Sequence, residues 1–215
     1  MVGSKDEWFC VPELVNSNSV VLSGGAGLEI TFEHELSERH GCTVHLFDPS
    51  PTGLRLMEQE ENQREKIIYH PIGMAGATGK VTFGLPRNPQ EGSYRTAAAI
   101  GEESDKGVTF DCVALSDFCS EHGFKHIDLL KIDIEGFEYE VLEDLAQNDI
   151  TIGQICVEYH NFHDGHSNWE TISSISSLYR KGYRLVHKRR HDYLFVNVEY
   201  VRQNFAGFFS EVPTR

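Results

Sequence analysis

The strongest constraint on the fold is a rhythm. Apolar runs of strand length, "SVVLSG" at 19–24, "TVHLFD" at 43–48, "KIIYHP" at 66–71, "IDLLKID" at 127–133 and "IGQICVEYH" at 152–160, recur along the chain, and the first of them alternate with amphipathic helical patterns at 29–40 and 52–64. Strands alternating with helices predict an α/β fold: a mostly parallel sheet covered by helices on both faces, with ligands bound outside the carboxyl ends of the strands. A last helical pattern at 168–181 precedes "YRLVH" and "YLFVNV", separated by a short basic turn. A parallel crossover needs about a dozen residues or more, so these two runs must form an antiparallel hairpin.

A length of 215 residues fits one domain spanning 1–215, with 1–17 as an N-terminal extension. Residues 84–108 are rich in Gly, Pro, Ser and charge without periodicity, which suggests a lid over a ligand or a flexible insertion. No apolar run reaches the length of a membrane span, and "MVGSKDEWFCVPEL" contains no apolar core of a secretory signal, so a cytoplasmic protein is expected. Cys10, Cys42, Cys112, Cys119 and Cys156 are odd in number and widely spaced, which fits reduced buried thiols better than a disulfide framework. A net charge of −14 opposes the binding of duplex nucleic acid. The basic "HKRRH" at 187–191 reads as a solvated hairpin turn.

Two stretches carry candidate chemistry. In "VVLSGGAGLEITFE" a strand runs into a turn of small residues, Ser23, Gly24, Gly25, Ala26 and Gly27, and then into a helix. Such a turn lets the backbone approach a ligand, and amides at a helix start favour an anionic group. Asp48 follows Gly27 by 21 residues, about where α/β nucleotide-binding proteins keep an acid for ribose hydroxyls. The bland alternative for Asp48 is to cap the helix behind Pro49. From Gly25 the glycine pattern lacks its third member, which argues against NAD and leaves room for an adenosyl cofactor without pyrophosphate.

The second stretch is "LLKIDIEGFEYEVLEDL" at 129–145. Strand alternation sets Lys131, Asp133 and Glu135 on one side, with Lys131 available to neutralise Asp133. Gly136 breaks the strand, and Phe137, Val141, Leu142 and Leu145 mark one apolar face of a helix, leaving Glu140, Glu143 and Asp144 to solvent and Glu138 to the helix dipole. The next strand sets Cys156, Glu158 and His160 on one face. If the two strands are neighbours, Asp133, Glu135, Glu158 and His160 converge on one crevice, where they could bind a divalent cation or act as acid and base. His160, His163 and His166 recur every three residues, but without a helix they need not meet; a divalent metal is possible, and a metal-free site is the expectation.

These residues, from "VVLSGGAGLEITFE" through "HLFDPSP", "YHPIGMAG", "ALSDFC", "KIDIEGFEYEVL" and "ICVEYH" to "HDYLFVN", resemble the FkbM-like methyltransferases, which use S-adenosylmethionine on a Rossmann-like sheet ending in an antiparallel pair. The resemblance implies that Gly24, Gly25 and Gly27 form the turn beside the methionine end, that Asp48 holds the ribose, that Ile72 and Gly73 approach the adenine and that Asp133 stands near the amino group or sulfonium. Where many methyltransferases have an acid before the glycines this chain has Ser23, leaving Glu29 as the candidate for the methionine ammonium. The implied reaction is methylation of a hydroxyl oxygen on a sugar or small metabolite, with His160 as first candidate base and Glu158 or Glu135 orienting it or binding the acceptor. The alternatives on the same fold are an NAD-dependent sugar-modifying enzyme and a catalytically inactive S-adenosylmethionine-binding module.

Overall fold

A computed structural model describes residues 8–86, 93–96, 107–148, 150–161 and 165–205. In chain order the elements are β1 (Val20–Gly24), α1 (Thr31–His40), β2 (Thr43–Phe47), α2 (Pro51–Met57), β3 (Ile67–His70), β4 (Gly73–Ala75), β5 (Gly79–Gly84), β6 (Arg95–Thr96), β7 (Gly107–Ala114), α3 (Leu115–His122), β8 (His126–Ile132), α4 (Glu138–Gln147), β9 (Thr151–Glu158), α5 (Asn168–Arg180), β10 (Tyr183–Arg189), β11 (Asp192–Asn197) and α6 (Val198–Asn204).

Seven strands form the central sheet in the order β10-β11-β9-β8-β1-β2-β3. Pairing is parallel from β3 through β9, and β11 runs antiparallel to both β9 and β10. The expected α/β architecture with a closing antiparallel hairpin is therefore the observed one. Chain order reverses between β1 and β8, and at such a switch point diverging connections leave a crevice above the strand ends.

Alternation along the strands separates two cores. Leu22, Leu130 and Ile155 face one side and pack with Phe118 of α3, Val141 and Leu142 of α4 and Leu178 of α5. Val21, Leu129 and Cys156 face the other, against Ile30, Phe32 and Leu36 of the first βα unit and Trp8 and Cys10. The described part of the N-terminal extension is thus a covering layer for the sheet. Its Val11 amide donates to Gln154 Oε1 at 2.7 Å, and Gln154 Nε2 donates to Val11 O at 3.2 Å. All five cysteines are free and buried.

Local chemistry sets the helix ends. Pro51 opens α2 behind Ser50, whose Oγ accepts from the Gly53 amide at 3.0 Å. Ser167 and Glu170 form a reciprocal capping box at the start of α5. The pattern at 52–64 predicts one helix, but the helix ends at Met57 and a separate 3-10 turn follows at Glu60–Asn62. Asn62 divides them by donating from Nδ2 to Leu56 O at 2.9 Å.

Sequence periodicity missed a second, four-stranded sheet, β4-β7-β5-β6, which lies between β3 and α3 in the chain. β4 and β6 are only 3 and 2 residues long, and β5 and β7 alternate exposed with partly buried residues rather than forming a continuous apolar run. The 84–108 region is partly ordered by this sheet: Arg95–Thr96 pairs with β5, and the Thr96 amide donates to Glu135 O at 3.2 Å. Residues 87–92 and 97–106 of that region, and His163, lie outside the described residues. Among the described residues no helix is long and apolar enough to cross a membrane.

Candidate active site

The glycine turn is held down by the strand behind it. Gly25 has φ 86°, and a Cβ placed there would lie 1.9 Å from Asp133 O. Only glycine allows β1 to close so tightly on the end of β8. The Gly25 amide donates to Phe47 O at 2.8 Å, and the Asp133 amide donates to Gly24 O at 3.0 Å, so the ends of β1, β2 and β8 form one rigid lip.

Asp48 belongs to that lip. Its Oδ2 accepts from the Ala26 amide at 2.9 Å and its Oδ1 from the Ser50 amide at 2.8 Å. Gly53, unremarked in the sequence, allows α2 to start directly over this carboxylate, because a Cβ at Gly53 would sit 2.5 Å from Asp48 Cγ. Asp48 therefore ties the turn together, and it also lines a cleft.

The cleft has roughly 620 Å³ of open space. It is lined by Gly25, Gly27 and Asp48, by the apolar side chains of Phe47, Met74, Phe83 and Ile134, and by Tyr94, Asp133 and Glu135. Gly73 lines it as well, whereas Ile72 packs against the core. Ser23 is withdrawn: its Oγ donates to Glu33 Oε1 at 2.5 Å inside the protein. Glu29 is exposed and accepts from Thr31 Oγ1 at 2.8 Å. It lines a second, wider pocket with Gly27, Glu33, Lys131, Asp133 and Glu135. Gly27, Ser93, Asp133 and Glu135 are shared by both pockets and mark their junction.

Lys131 does not neutralise Asp133. Its Nζ lies 3.5 Å from Glu33 Oε1, donates to Gly25 O at 2.8 Å and sits 4.8 Å from the Trp8 ring centre. Simple alternation also fails past Ile132, where β8 ends, and Glu135 takes a left-handed backbone with φ 54°. Such a conformation in a non-glycine residue is held by its surroundings and concentrates at functional sites.

The four residues expected at the crevice do meet. One ligand atom each from Asp133, Glu158 and His160 lies within 4.8 Å of the others. His160 Nε2 is 3.7 Å from Asp133 Oδ1 and 3.7 Å from Glu135 Oε2. The residue that organises them is Glu138, which sequence reasoning left to the helix dipole. It is fully buried; its Oε1 accepts from the His160 amide at 2.6 Å and contacts His160 Nδ1 at 3.2 Å, and its Oε2 accepts from the Gly136 amide at 2.8 Å. A glutamate in a first helical turn is too common to have signalled this role.

The protonation states follow from crowding. Burial alone would lower the pKa of His160, but the hydrogen bond and charge of Glu138, with the charges of Asp133 and Glu135, raise it to about 10. Burial, and then repulsion from Asp133, push Glu158 up to about 8. The surrounding carboxylates thus favour the protonated imidazole, and burial favours the neutral carboxyl of Glu158. His166 lies apart, stacked on Tyr139 and 3.2 Å from Glu170. Of the later acids, Glu140 and Glu143 are exposed as expected, but Asp144 is half-buried: it accepts from the Ser116 amide at 2.9 Å and from Ser116 Oγ at 2.8 Å, capping α3.

Residues 25–185 match the profile of the Methyltransferase FkbM domain. Among curated proteins, the human "Probable methyltransferase-like protein 24" is 27% identical over 183 residues, 84% of this chain and 42% of that protein. Its Rattus norvegicus counterpart is 27% identical over 164 residues, 75% of this chain and 38% of that protein. This chain thus spans less than half the length of both curated relatives. Among solved structures, the Methanococcus jannaschii fibrillarin pre-rRNA processing protein superposes with a TM-score of 0.46 at 15% identity, covering 87% of this chain and 68% of that one.

Proposed function

We propose that this chain, which belongs to the FkbM methyltransferase family, binds S-adenosylmethionine in the cleft beneath the glycine turn and methylates a hydroxyl oxygen of a sugar or small metabolite in the adjoining pocket. The observation that carries this reading is the junction: Asp133 and Glu135 line both spaces, as a transfer between two bound molecules requires.

The cleft suits an adenosyl group. Gly27 leaves room for it: apart from its chain neighbours, no described atom lies within 4 Å of a Cβ built there. Phe47, Met74 and Phe83 offer an apolar slot for a purine, with Gly73 allowing close approach at its side. Asp48, with each oxygen already accepting one amide, retains lone pairs for ribose hydroxyls. Asp133, which lines both spaces, is the acid available to the methionine ammonium and sulfonium, whereas Glu29 lines only the adjoining pocket. The chemistry supplied by S-adenosylmethionine when bound is a methyl carbon made electrophilic by its sulfonium.

This chain's residues must orient the acceptor and remove its proton. The carboxylates around His160 favour its protonated form, and Glu135 lines both pockets, so we assign the accepting role to Glu135. His160 and Glu158 then bind and orient the acceptor, and Glu138 positions His160. Glu135→Gln is expected to lower kcat by about 10²-fold or more while donor affinity by calorimetry changes less than about threefold. Unchanged turnover would remove Glu135 from the role. No heat of binding for S-adenosylmethionine, with NAD preferred, would overturn the reading as a whole. Transfer of a labelled methyl group to a panel of glycans and hydroxylated metabolites tests the acceptor class.

A further inference from the structure

We infer that Asp133, Glu158 and His160 form a binding site for a divalent cation, with Mn²⁺ preferred over Mg²⁺, beside the junction of the two pockets that Asp133 lines. The inference rests on the proposed hydroxyl methylation, because it assigns the cation to the acceptor side of that reaction.

The geometry is the first argument. Octahedral ligands around a small divalent ion stand roughly 3 Å apart when adjacent and roughly 4 Å apart when opposite. One atom from each of the three residues already lies within 4.8 Å of the others, so side-chain rotations that close these gaps by up to about 2 Å complete a facial set and leave the remaining positions to water or an acceptor hydroxyl. The three come from the ends of adjacent parallel strands, β8 and β9, whose register pairs Ile132 with Val157. Asp133 and Glu158 are the next residues on each side, fixed by the sheet rather than by a loop.

The second argument is the orientation of His160. Glu138, fully buried, engages Nδ1 from behind and leaves Nε2 directed at the carboxylates. A carboxylate that fixes the far nitrogen of a histidine is the usual outer partner of a metal-bound imidazole, setting its tautomer and aim. The third is charge. Asp133, Glu135 and Glu138 surround a single imidazole, and Lys131 is engaged by Glu33 and Gly25 O. A divalent ion in place of the Nε2 proton answers those carboxylates with twice the charge. One imidazole with two carboxylates favours Mn²⁺ over Mg²⁺, which prefers oxygen alone.

A cation there would fix the acceptor oxygen and weaken its hold on the hydroxyl proton. Glu135, outside the ligand set, would remain to take that proton. A divalent site is the opposite of the metal-free site favoured by sequence, in which the convergence was conditional on strand adjacency and Glu138 had no part.

The test titrates Mn²⁺ alone into chelator-treated protein at fixed pH, reading the loss of the free-ion electron paramagnetic resonance signal. We expect one site, weakened at least tenfold in Glu158→Gln and, separately, in Asp133→Asn, and unchanged in Glu140→Gln on the exposed face of α4. Circular dichroism checks that each variant folds. No binding up to millimolar Mn²⁺, or binding equally strong in Glu158→Gln and Asp133→Asn, overturns the site. Calorimetry with S-adenosylmethionine on the same preparation separates the two readings: intact donor binding with no Mn²⁺ bound sinks the metal site alone, and Mn²⁺ bound without donor binding sinks the methyl-transfer reading.

Discussion

Two charged clusters lie two residues apart in the chain, around Lys131 and around Asp133, and they are built on opposite principles. At Lys131 one ammonium meets one carboxylate, Glu33, with Ser23 Oγ and Gly25 O completing the hydrogen bonds and Trp8 covering the group. Both charged side chains are almost wholly buried, at 5% and 2% exposure. Around His160, by contrast, Asp133, Glu135, Glu138 and Glu158 converge on one imidazole, and Asp133 and Glu135 also line the cleft. A balanced cluster closes the glycine turn onto the sheet. An unbalanced one keeps an affinity for cations, and that makes it a site rather than a brace.

If Lys131 is a brace, Lys131→Met will show the largest effect on stability, about 3–5 kcal/mol in urea unfolding, because it leaves Glu33 buried without its partner. The double variant Lys131→Met, Glu33→Gln should regain more than half of that loss. A loss for the single variant below about 1 kcal/mol would mean that the pair is solvated and the contrast false.

A histidine of the opposite kind sharpens the comparison. His45 on β2 is held by burial first, and then by His70 and His122, to a pKa of about 4, among Phe118 and Phe124. Its folded value lies below the unfolded value of 6.5, so its contribution is fully present above pH 6.5 and is lost as pH falls towards 4. About 3 kcal/mol is expected to disappear over that window. Unfolding midpoints across pH check it, with His45→Phe losing visibly less than the parent protein over the same interval.

At the unbalanced cluster the expected change is in turnover rather than stability. Glu138→Gln keeps an acceptor and the shape of the side chain but removes the charge behind His160. We expect kcat to fall about 10²-fold with the acceptor KM changed far less, and the imidazole of chelator-treated protein to titrate at lower pH by NMR. An unmoved imidazole titration would show that Glu138 does not set the charge of His160. The smallest effects separate the acids of α4: Asp144→Ala should cost about 1 kcal/mol through the lost cap of α3, and Glu140→Ala less than about 0.5 kcal/mol.

Much of this was legible in the residues. The order of strand and helix, the closing hairpin, the glycine turn with Asp48, and the four residues of the crevice all follow from periodicity and spacing. Contacts between residues far apart in the chain did not. Glu33 was an anonymous helix acid until the first βα unit folded against β8 and handed it Lys131, which spacing alone would have given to Asp133. Glu138 was one acid among six until β8 and β9 became neighbours and brought His160 within reach, 22 residues away. The second sheet was missed because β4 and β6 are too short to show a period, and in β5 and β7 the alternation runs through Gly, Lys, Thr and Asp without an apolar run.

The division has a physical cause. Period and turn chemistry act over a few residues, so the sequence by itself determined the α/β sheet, the position of the glycine turn and the membership of the crevice. Charge states and partners depend on distances between strands and on exclusion of water, which exist only after folding. Tertiary structure alone decided that Lys131 is neutralised by Glu33, that burial pushes the pKa of His45 down while carboxylates push that of His160 up, and that a buried glutamate on α4 aims the imidazole at the carboxylates.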